Sequence, residues 1–583
     1  MKKKKLPVSV SSFKRIIEDD YIYIDKTLFI KEIIDHGDTI LLIPRPRRFG
    51  KTLNLSMIRF FYDCCPEIVS PDEYGNYPTN KNDLPKNSYN SLFDNLSICK
   101  AGEEYIKKMG KYPVIFLSFK NVKQNSWESC YEKLIQVIVD EYSRHYYLLY
   151  SLDMKPHEKD YFYKIINKKG TISDYEVSLG KLLEFLSKYY ATRAVILIDE
   201  YDAPVHAGYT YDYYDEVIGF IRNFLCSGLK DTDEYLEKSI ISGILRIAKE
   251  SIFSGLNNPG VYSLTAKEFN DKFGFTEEEI EILLSETGFF DRYNEIKEWY
   301  NGYRFGNRII YNPWSIVNYI NSSDKIFRPY WVNTSDNLII DTLLSNGGKV
   351  LNEELEQLIR GDSIDKIIDE NIVLKDLSKR EDLLWSFLLM GGYLKPIREV
   401  KKTDSENITY SLSIPNKEVR SVYKQIVRNY FSRKIENEKL ETMLNALIDG
   451  DIALFEKMLQ KVVIGIFSYH DFSGEPEKVY HAFVTGLLVW ISDTHEIKSN
   501  RESGYGRYDI VVIPRNSEQV GYVIEFKAVD TGEGEVVQDA IEAALRQIEE
   551  KKYETELIER GIKSIKKLAI VFNGKDVVVQ EGI

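Results

Sequence analysis

Arg45-Pro46-Arg47-Arg48-Phe49-Gly50-Lys51-Thr52 is the stretch on which the fold turns. It follows a short apolar run, Thr39 to Ile43, and precedes a helical stretch, Leu53 to Tyr62. A strand, a Gly-Lys-Thr loop and a helix in that order are the context of a phosphate-binding loop, or P-loop. Gly50 lets the backbone wrap a phosphate closely. Lys51 reaches the β and γ phosphates, and the Thr52 hydroxyl ligates Mg²⁺. The helix N-terminus adds partial positive charge. The usual first glycine of G-x-x-x-x-G-K-T is Arg45 here, so three arginines crowd the loop. Arg45 and Arg48 join Gly50, Lys51 and Thr52 as nucleotide-binding candidates.

The partner signal lies downstream. Ala194-Val195-Ile196-Leu197-Ile198 is a buried-strand pattern that ends in Asp199-Glu200. An apolar strand ending in Asp-Glu is the Walker B pattern: Asp199 holds Mg²⁺ and Glu200 polarises the attacking water. Ser242, at the end of the next strand, is the candidate sensor of the γ-phosphate, and Arg246 a candidate for charge stabilisation. For these two an ordinary strand end and a structural arginine are equally good readings. Asp202 is a nearby carboxylate without an assigned role.

Thr39 to Ile43, Val114 to Phe119, Ala194 to Ile198 and Ile240 to Leu245 are short apolar runs without strict alternation, and Val261 to Leu264 is a candidate fifth. Strands covered on both faces read this way. Helical stretches such as Glu132 to Tyr147 and Asp215 to Leu225 separate them, which argues for a parallel α/β sheet. Pro71 to Asn90 reads as a long loop. From about Thr265 to Gly465 helical periodicity dominates, as in Thr276 to Leu284 and Asn437 to Leu459, with a capping box at Thr276 and Glu279. Tyr300 to Tyr311 interrupts it with an Asn301-Gly302 turn signal.

From about Asp471 the order is helix (Glu477 to Ile491), strand (Tyr508 to Ile513), strand (Tyr522 to Val529), helix (Glu535 to Lys552) and strand (Lys567 to Phe572). Glu525-Phe526-Lys527 ends the second strand, and period two puts Glu525 and Lys527 on one face. Asp509 begins the neighbouring strand. Two carboxylates bind Mg²⁺, which polarises a scissile phosphate and lowers the pKa of a bound water. A lysine beside them orients that water or stabilises developing charge. Glu477 and His481 are four apart on the preceding helix, where Glu477 is a candidate third metal ligand. Gln547, on the following helix, is placed to position a phosphate or water. The plain alternative is a same-face charge pair on an exposed strand.

The composition limits the function classes. With 583 residues the chain is long enough for three or four domains at roughly 150 residues each. Hydrophobic residues are 43% and charged residues 29%, which excludes collagen-like, mucin-like and wholly disordered chains. No apolar stretch reaches the roughly 20 residues of a membrane span, and no apolar run follows Lys2 to Lys5, so a cytoplasmic protein is expected. Five cysteines without a C-x-x-C pair give neither a disulfide framework nor a structural zinc site. The net charge is −13, and from Asp471 onward 14 basic and 21 acidic residues leave −7. That counts against broad electrostatic binding of nucleic acid and calls for a local basic groove.

Longer stretches carry a resemblance. They are Tyr23-Ile24-Asp25-Lys26-Thr27, Arg45 to Thr52 with Leu53 to Met57, Leu197 to Pro204, Ser242 to Glu250, Trp299 to Tyr303, and Ser499 to Asp509. Together they resemble the bacterial family that joins an AAA-ATPase-like domain to a C-terminal PD-(D/E)XK nuclease-superfamily domain. The arginine-rich loop is similar to that family's own variant. The resemblance implies an α/β protein: a P-loop NTPase parallel sheet over residues 1–264, a mostly helical middle region over 265–465, and a restriction-endonuclease-like domain over 466–583. It implies ATP and Mg²⁺ as cofactors, with Mn²⁺ an alternative at the nuclease site, and places Asn500 to Arg507 as a cleft loop whose Arg501 and Arg507 contact phosphates. Three readings follow: an ATP-controlled, metal-dependent nuclease acting on DNA or RNA; a nucleotide-dependent switch whose last domain binds a partner or nucleic acid without cutting; and an oligomeric scaffold with vestigial sites. Intact Asp509, Glu525 and Lys527 favour the first over the third. No membrane partner is expected, and a homo-oligomer is compatible with each reading.

Overall fold

The computed structural model describes residues 4–65, 77–79, 84, 89–246, 259–331, 349–377, 380–400, 408–432, 436–466, 476–491, 494–499, 502–503, 506–529 and 534–582. The chain forms two units, Met1–Ile339 with Asp365–Val419, and Ile340–Ile364 with Arg420–Ile583. The stretch 265–465 is therefore shared between them. Most of the loop expected over Pro71 to Asn90 lies outside the described residues.

In the first unit, α1 (Phe13–Glu18) and α2 (Leu28–Asp35) precede β1 (Ile40–Pro44) and α3 (Lys51–Tyr62). Then come β2 (Val114–Ser118), α4 (Trp127–Arg144), α5 (Ser178–Tyr190), β3 (Ala194–Asp199), α6 (Tyr214–Leu229), β4 (Leu236–Gly243) and β5 (Gly260–Val261). The five strands form one parallel sheet in the order β2-β3-β4-β1-β5. Every residue of β1 and β3 is buried, so both faces are covered, as their unalternating apolar runs require. β4 begins and ends earlier than its apolar run suggests. The N–H groups of Ile244 and Leu245 leave the ladder and donate to the Asp202 carboxylate, at 2.7 and 3.0 Å.

Beyond the sheet, α7 (Glu277–Thr287) starts on the expected capping box: Thr276 Oγ1 accepts from the Glu279 N–H, and the Glu279 carboxylate accepts from the Thr276 N–H. The hairpin of β6 (Tyr303–Phe305) and β7 (Arg308–Ile310) follows, then α8 (Pro313–Asn321). Its turn is not Asn301-Gly302 but Gly306-Asn307, because Phe305 pairs with Arg308. Asn301 instead closes the end of the preceding helix with its own N–H. The chain passes from the first unit into the second within α9 (Lys417–Ser432).

The second unit contains α10 (Asn437–Asp449), α11 (Ile452–Ile466), α12 (Pro476–Leu488), β8 (His495–Ser499), β9 (Ile510–Pro514), β10 (Val520–Ala528), α13 (Val537–Lys551), β11 (Ser564–Asn573) and β12 (Asp576–Glu581). The single helical stretch expected over Asn437 to Leu459 is two helices, broken where Gly450 takes the left-handed conformation at φ 81°. The sheet order is β8-β9-β10-β11-β12, with β10 and β11 parallel and the other pairs antiparallel. Leu440, Leu447, Leu459 and Val463 of α10 and α11 share one buried cluster with Tyr522, Phe526 and Phe572 of the sheet. Gln460 tightens the join: its amide donates to the Lys575 carbonyl at 2.7 Å and accepts from the Val577 N–H at 2.8 Å. Among the described residues no helix is long and apolar enough to cross a membrane.

Candidate functional site

Parallel pairing sets β1, β4 and β3 side by side, with Ile43 opposite Ser242 and Pro44 opposite Gly243. The loop after β1 and the ends of β3 and β4 therefore meet at one carboxyl-terminal sheet edge, where α/β folds bind ligands. Asp199 ties them together. Thr52 Oγ1 donates to its Oδ2 at 2.7 Å, and Ser242 Oγ to its Oδ1 at 2.9 Å. Burial raises the Asp199 carboxyl and Glu200 pushes the same way, while Thr52, Lys51 and Ser242 favour its charged form. A hydroxyl and a carboxylate side by side are the hard oxygen donors that Mg²⁺ takes, and they suit that ion here. Lys51 is buried, and Nζ donates back to the carbonyls of Arg45 and Pro46 at 3.0 and 3.1 Å. Burial lowers its pKa, against the support of Glu200 and Asp199. Gly50 caps α3 at φ 84°, a conformation that strains other residues.

Arg45 corrects the sequence reading. It is fully buried, and its guanidinium donates to the carbonyls of Pro44 (2.8 Å), Tyr262 (2.7 Å), Ser263 (3.1 Å) and Phe269 (3.3 Å). The rings of Phe273 and Phe305 lie 5.2 and 5.4 Å from it. Its charge is met by carbonyl dipoles behind the loop, and it does not line the cavity in front. Arg48 does line it, with its guanidinium 3.6 Å from the Trp314 ring centroid. Arg246 makes a backbone bridge to Asn371 and is not among the cavity-lining groups.

Glu200 lines the cavity and stands at φ 50°, so the chain turns sharply after Asp199. Asp202 acquires a role: it accepts the Ile244 and Leu245 N–H groups that follow the Ser242 strand and lies 3.4 Å from His206 Nε2. Burial alone would raise the Asp202 carboxyl, but His206 and the two amides hold it down at about 2. Asp202 thus fixes the turn beside Ser242. Gly243 is required there, since an added Cβ would stand 2.7 Å from both Asp202 Oδ1 and the Tyr201 ring.

The cavity measures about 570 Å³. P-loop residues Arg47 to Thr52 line it. Its lining also includes the apolar side chains Leu6, Val10, Ile24, Phe275, Leu283 and Val317. The N-terminal strap in this wall is clamped by Lys26, which donates to the Glu279 carboxylate at 2.6 Å and the Asp271 carbonyl at 2.7 Å. The Tyr23 to Thr27 motif thus shapes the pocket, a role its residue types did not announce. Sequence reasoning also missed Arg47, Lys120 and Lys123, which line the cavity with Glu200.

A second buried carboxylate braces the loop from behind. Glu418 accepts from Ser315 Oγ at 2.8–2.9 Å and from the Trp331 N–H at 2.7 Å, while Trp331 Nε1 donates to the Arg47 carbonyl at 3.1 Å. Burial pushes the Glu418 carboxyl up to about 8, although those donors favour the charged form. A carboxyl raised on folding contributes stability that is complete below its unfolded value of about 4.3 and is lost as pH rises towards the folded value. The expected result is that Glu418→Gln gains stability on the wild type by about 1 kcal/mol per pH unit across that window. Melting temperatures of both proteins at pH 5, 6.5 and 8 check this, and a difference that does not vary with pH would refute it.

In the second unit Ile510 pairs with Ile524, so Asp509 and Glu525 are cross-strand neighbours on one face. Asp509 Oδ2 accepts the Phe526 N–H at 2.8 Å. Glu525 is buried, its Oε1 accepts from Gln547 Nε2, and Lys527 Nζ lies 3.7 Å from the same oxygen. Tyr553, unforeseen from sequence, has its hydroxyl 3.4 Å from Gln547 Nε2 and feels both carboxylates. Asp509, Glu525, Lys527 and Gln547 are thus brought together. Two carboxylates with oxygen donors suit Mg²⁺ or Mn²⁺. The side chains of Glu477, His481 and Arg507 and all of Arg501 lie outside the described residues.

Residues 7–70 and 80–253 match the family model described as Predicted AAA-ATPase, and residues 475–582 match that of the PD-(D/E)XK nuclease superfamily. A protein of Azotobacter chroococcum mcd 1, described as an uncharacterized protein in the vnfD 5′ region, is 25% identical over 576 residues, which cover 96% of this chain and 95% of that protein.

Proposed function

We propose, for a chain that joins an AAA-ATPase-like domain to a PD-(D/E)XK nuclease-superfamily domain, that it binds and hydrolyses ATP and that this controls a metal-dependent nuclease cleaving DNA or RNA phosphodiesters. The observation that carries the reading is the Thr52–Asp199–Ser242 hydrogen-bonded set beside a P-loop lysine, in a chain whose second unit also pairs Asp509 with Glu525. Bound Mg²⁺ supplies charge neutralisation at the phosphates and an acidified water at the carboxylate pair. In the first site Lys51 exchanges its two loop carbonyls for phosphate oxygens, Ser242 reports on Asp199, and Glu200 orients the attacking water. In the second, Gln547 and Lys527 fix Glu525 from two sides. The net −7 of the last region supports a second reading, in which this domain binds without cutting.

Glu200→Gln is expected to keep ATP affinity and to slow hydrolysis by about 10²-fold or more, the usual worth of a positioned base. Phosphate release under single-turnover conditions measures it. An unaltered rate removes Glu200 from the mechanism. The reading as a whole is tested by incubating purified protein with plasmid, single-stranded DNA and RNA, with and without ATP, in Mg²⁺ or Mn²⁺. Cleavage that depends on metal and responds to ATP is expected. Retention of nucleic acid without cleavage selects the second reading.

A further inference from the structure

Although the chain carries −13 overall, the described residues of the cavity wall include seven basic side chains and a single acidic one, Glu200. Two of the seven are engaged elsewhere: Lys26 with Glu279, and Lys272 with Glu32 and Asp271. Lys51 belongs to the P-loop and Arg48 rests on Trp314. The rest are Arg47, Lys120 and Lys123, of which Arg47 and Lys123 interact electrostatically with Glu200.

The backbone fixes this placement. Ser118, the last residue of β2, is paired with Asp199, so the segment after β2 leaves the sheet beside the turn that carries Glu200. The Phe119 N–H donates to the Asp199 carbonyl at 2.9 Å, the Val122 N–H to the Phe119 carbonyl at 2.9 Å, and Tyr213 Oη to the Gln124 carbonyl at 2.6 Å. Lys123 therefore sits on a pinned turn. Arg47 is held from the other side by Trp331 at its carbonyl. The two cations lie within electrostatic reach of each other and of Glu200 and Asp202.

We propose that Arg47 and Lys123 are catalytic residues that bind the γ-phosphate of a nucleoside triphosphate, so that one chain carries the whole charge-stabilising set for hydrolysis and needs no cation from a neighbouring copy. The inference rests on the nucleotide reading above and goes beyond it. Water attacks the γ-phosphorus as the bond to the β–γ bridging oxygen breaks. The products are a nucleoside diphosphate, inorganic phosphate and a proton, which passes by Glu200 to solvent. Negative charge builds on the γ-oxygens and the bridging oxygen, and preorganised cations at that position lower the barrier. Before nucleotide binds, Glu200 and Asp202 balance the same two cations. An arriving γ-phosphate takes them over and leaves Glu200 to the water.

The test uses the full chain and calorimetric titration with ADP alone and ADP with aluminium fluoride, which mimics the γ-phosphoryl group in transfer. The wild type is expected to bind the fluoride complex far more tightly. Arg47→Ala and Lys123→Ala should each lose about 10²-fold of that preference while keeping ADP affinity within about threefold, and Arg47→Lys should recover part of it. The retained ADP affinity shows that the variants fold. A preference unchanged in both alanine variants, absent from the wild type, or lost only in parallel with ADP affinity overturns the proposal. Turnover per chain should also hold constant on 100-fold dilution, and a fall would show that a neighbour supplies the charge. If Lys51→Ala binds ADP like the wild type, the nucleotide reading itself fails, which is a different outcome.

Discussion

Lys51→Ala is expected to lose ATP affinity by between about 10²-fold and a few thousand-fold, because the ammonium it removes would be desolvated and charge-paired in the complex. Breaking a buried ion pair by deleting one partner costs about 3–5 kcal/mol, and each 1.4 kcal/mol is a factor of ten. Arg47 and Lys123 are assigned to the γ-phosphate alone, and the other arginines of the loop are committed elsewhere. Arg45 is committed to four carbonyls behind the loop, and Arg48 lies against Trp314. Lys51 also spans two carbonyls of its own loop, so alanine leaves them without that donor and loosens the turn. Lys51→Arg separates the two effects: it keeps the charge but cannot fit the same tight turn, and should recover only part of the affinity. Calorimetry measures binding, and a melting curve without nucleotide shows whether each variant is folded. A folded Lys51→Ala protein that binds ATP as tightly as the wild type would remove the P-loop assignment.

The strands of the first sheet were legible because burial on both faces leaves an unalternating apolar run, and no polar face confuses it. The Walker pair was legible because strand ends in a parallel sheet fall at one edge, so residue type and position together imply the meeting of Thr52, Asp199 and Ser242. Arg45 was misread for a related reason. Its partners are backbone carbonyls from residues 44 and 262–269, and backbone groups leave no trace in residue type. Lys123 depends on a turn pinned through Tyr213, 90 residues further on, and Glu418 meets the loop through Trp331. Such long-range contacts require the fold to be known. Helix ends behaved in both ways. The capping box at Thr276 is local and was readable, whereas the break at Gly450 sits inside periodicity that continues on both sides, and a lone glycine is tolerated there often enough to be passed over. Two edge strands of the second sheet, β8 and β12, also escaped, since edge positions carry mixed burial and weak pattern.

The second large effect concerns the carboxylate pair. Asp509→Asn with Glu525→Gln is expected to abolish metal-dependent cleavage, and each single change to cost nearly as much as both, because groups that act as a unit lose function together. Amides are the better test than alanines. Asp509 Oδ2 accepts the Phe526 N–H, so Asp509→Ala strands a buried donor and costs about 1–3 kcal/mol of stability, while asparagine keeps an acceptor in place. At Glu525 a glutamine still offers Gln547 an oxygen but removes the charge that attracts the metal and Lys527. Lys527→Ala should behave differently: Mn²⁺ affinity stays near that of the wild type and the cleavage rate falls by about 10²–10³-fold, the worth of one preorganised charge-stabilising group. Calorimetric Mn²⁺ titration and cleavage of a labelled substrate distinguish the three cases. The metal-site assignment falls if the double variant still cleaves, or if Mn²⁺ binds it as it binds the wild type. If the wild type binds the ion at these carboxylates and never cleaves, the geometry serves recognition of a phosphodiester, and the reading in which this unit binds without cutting takes its place.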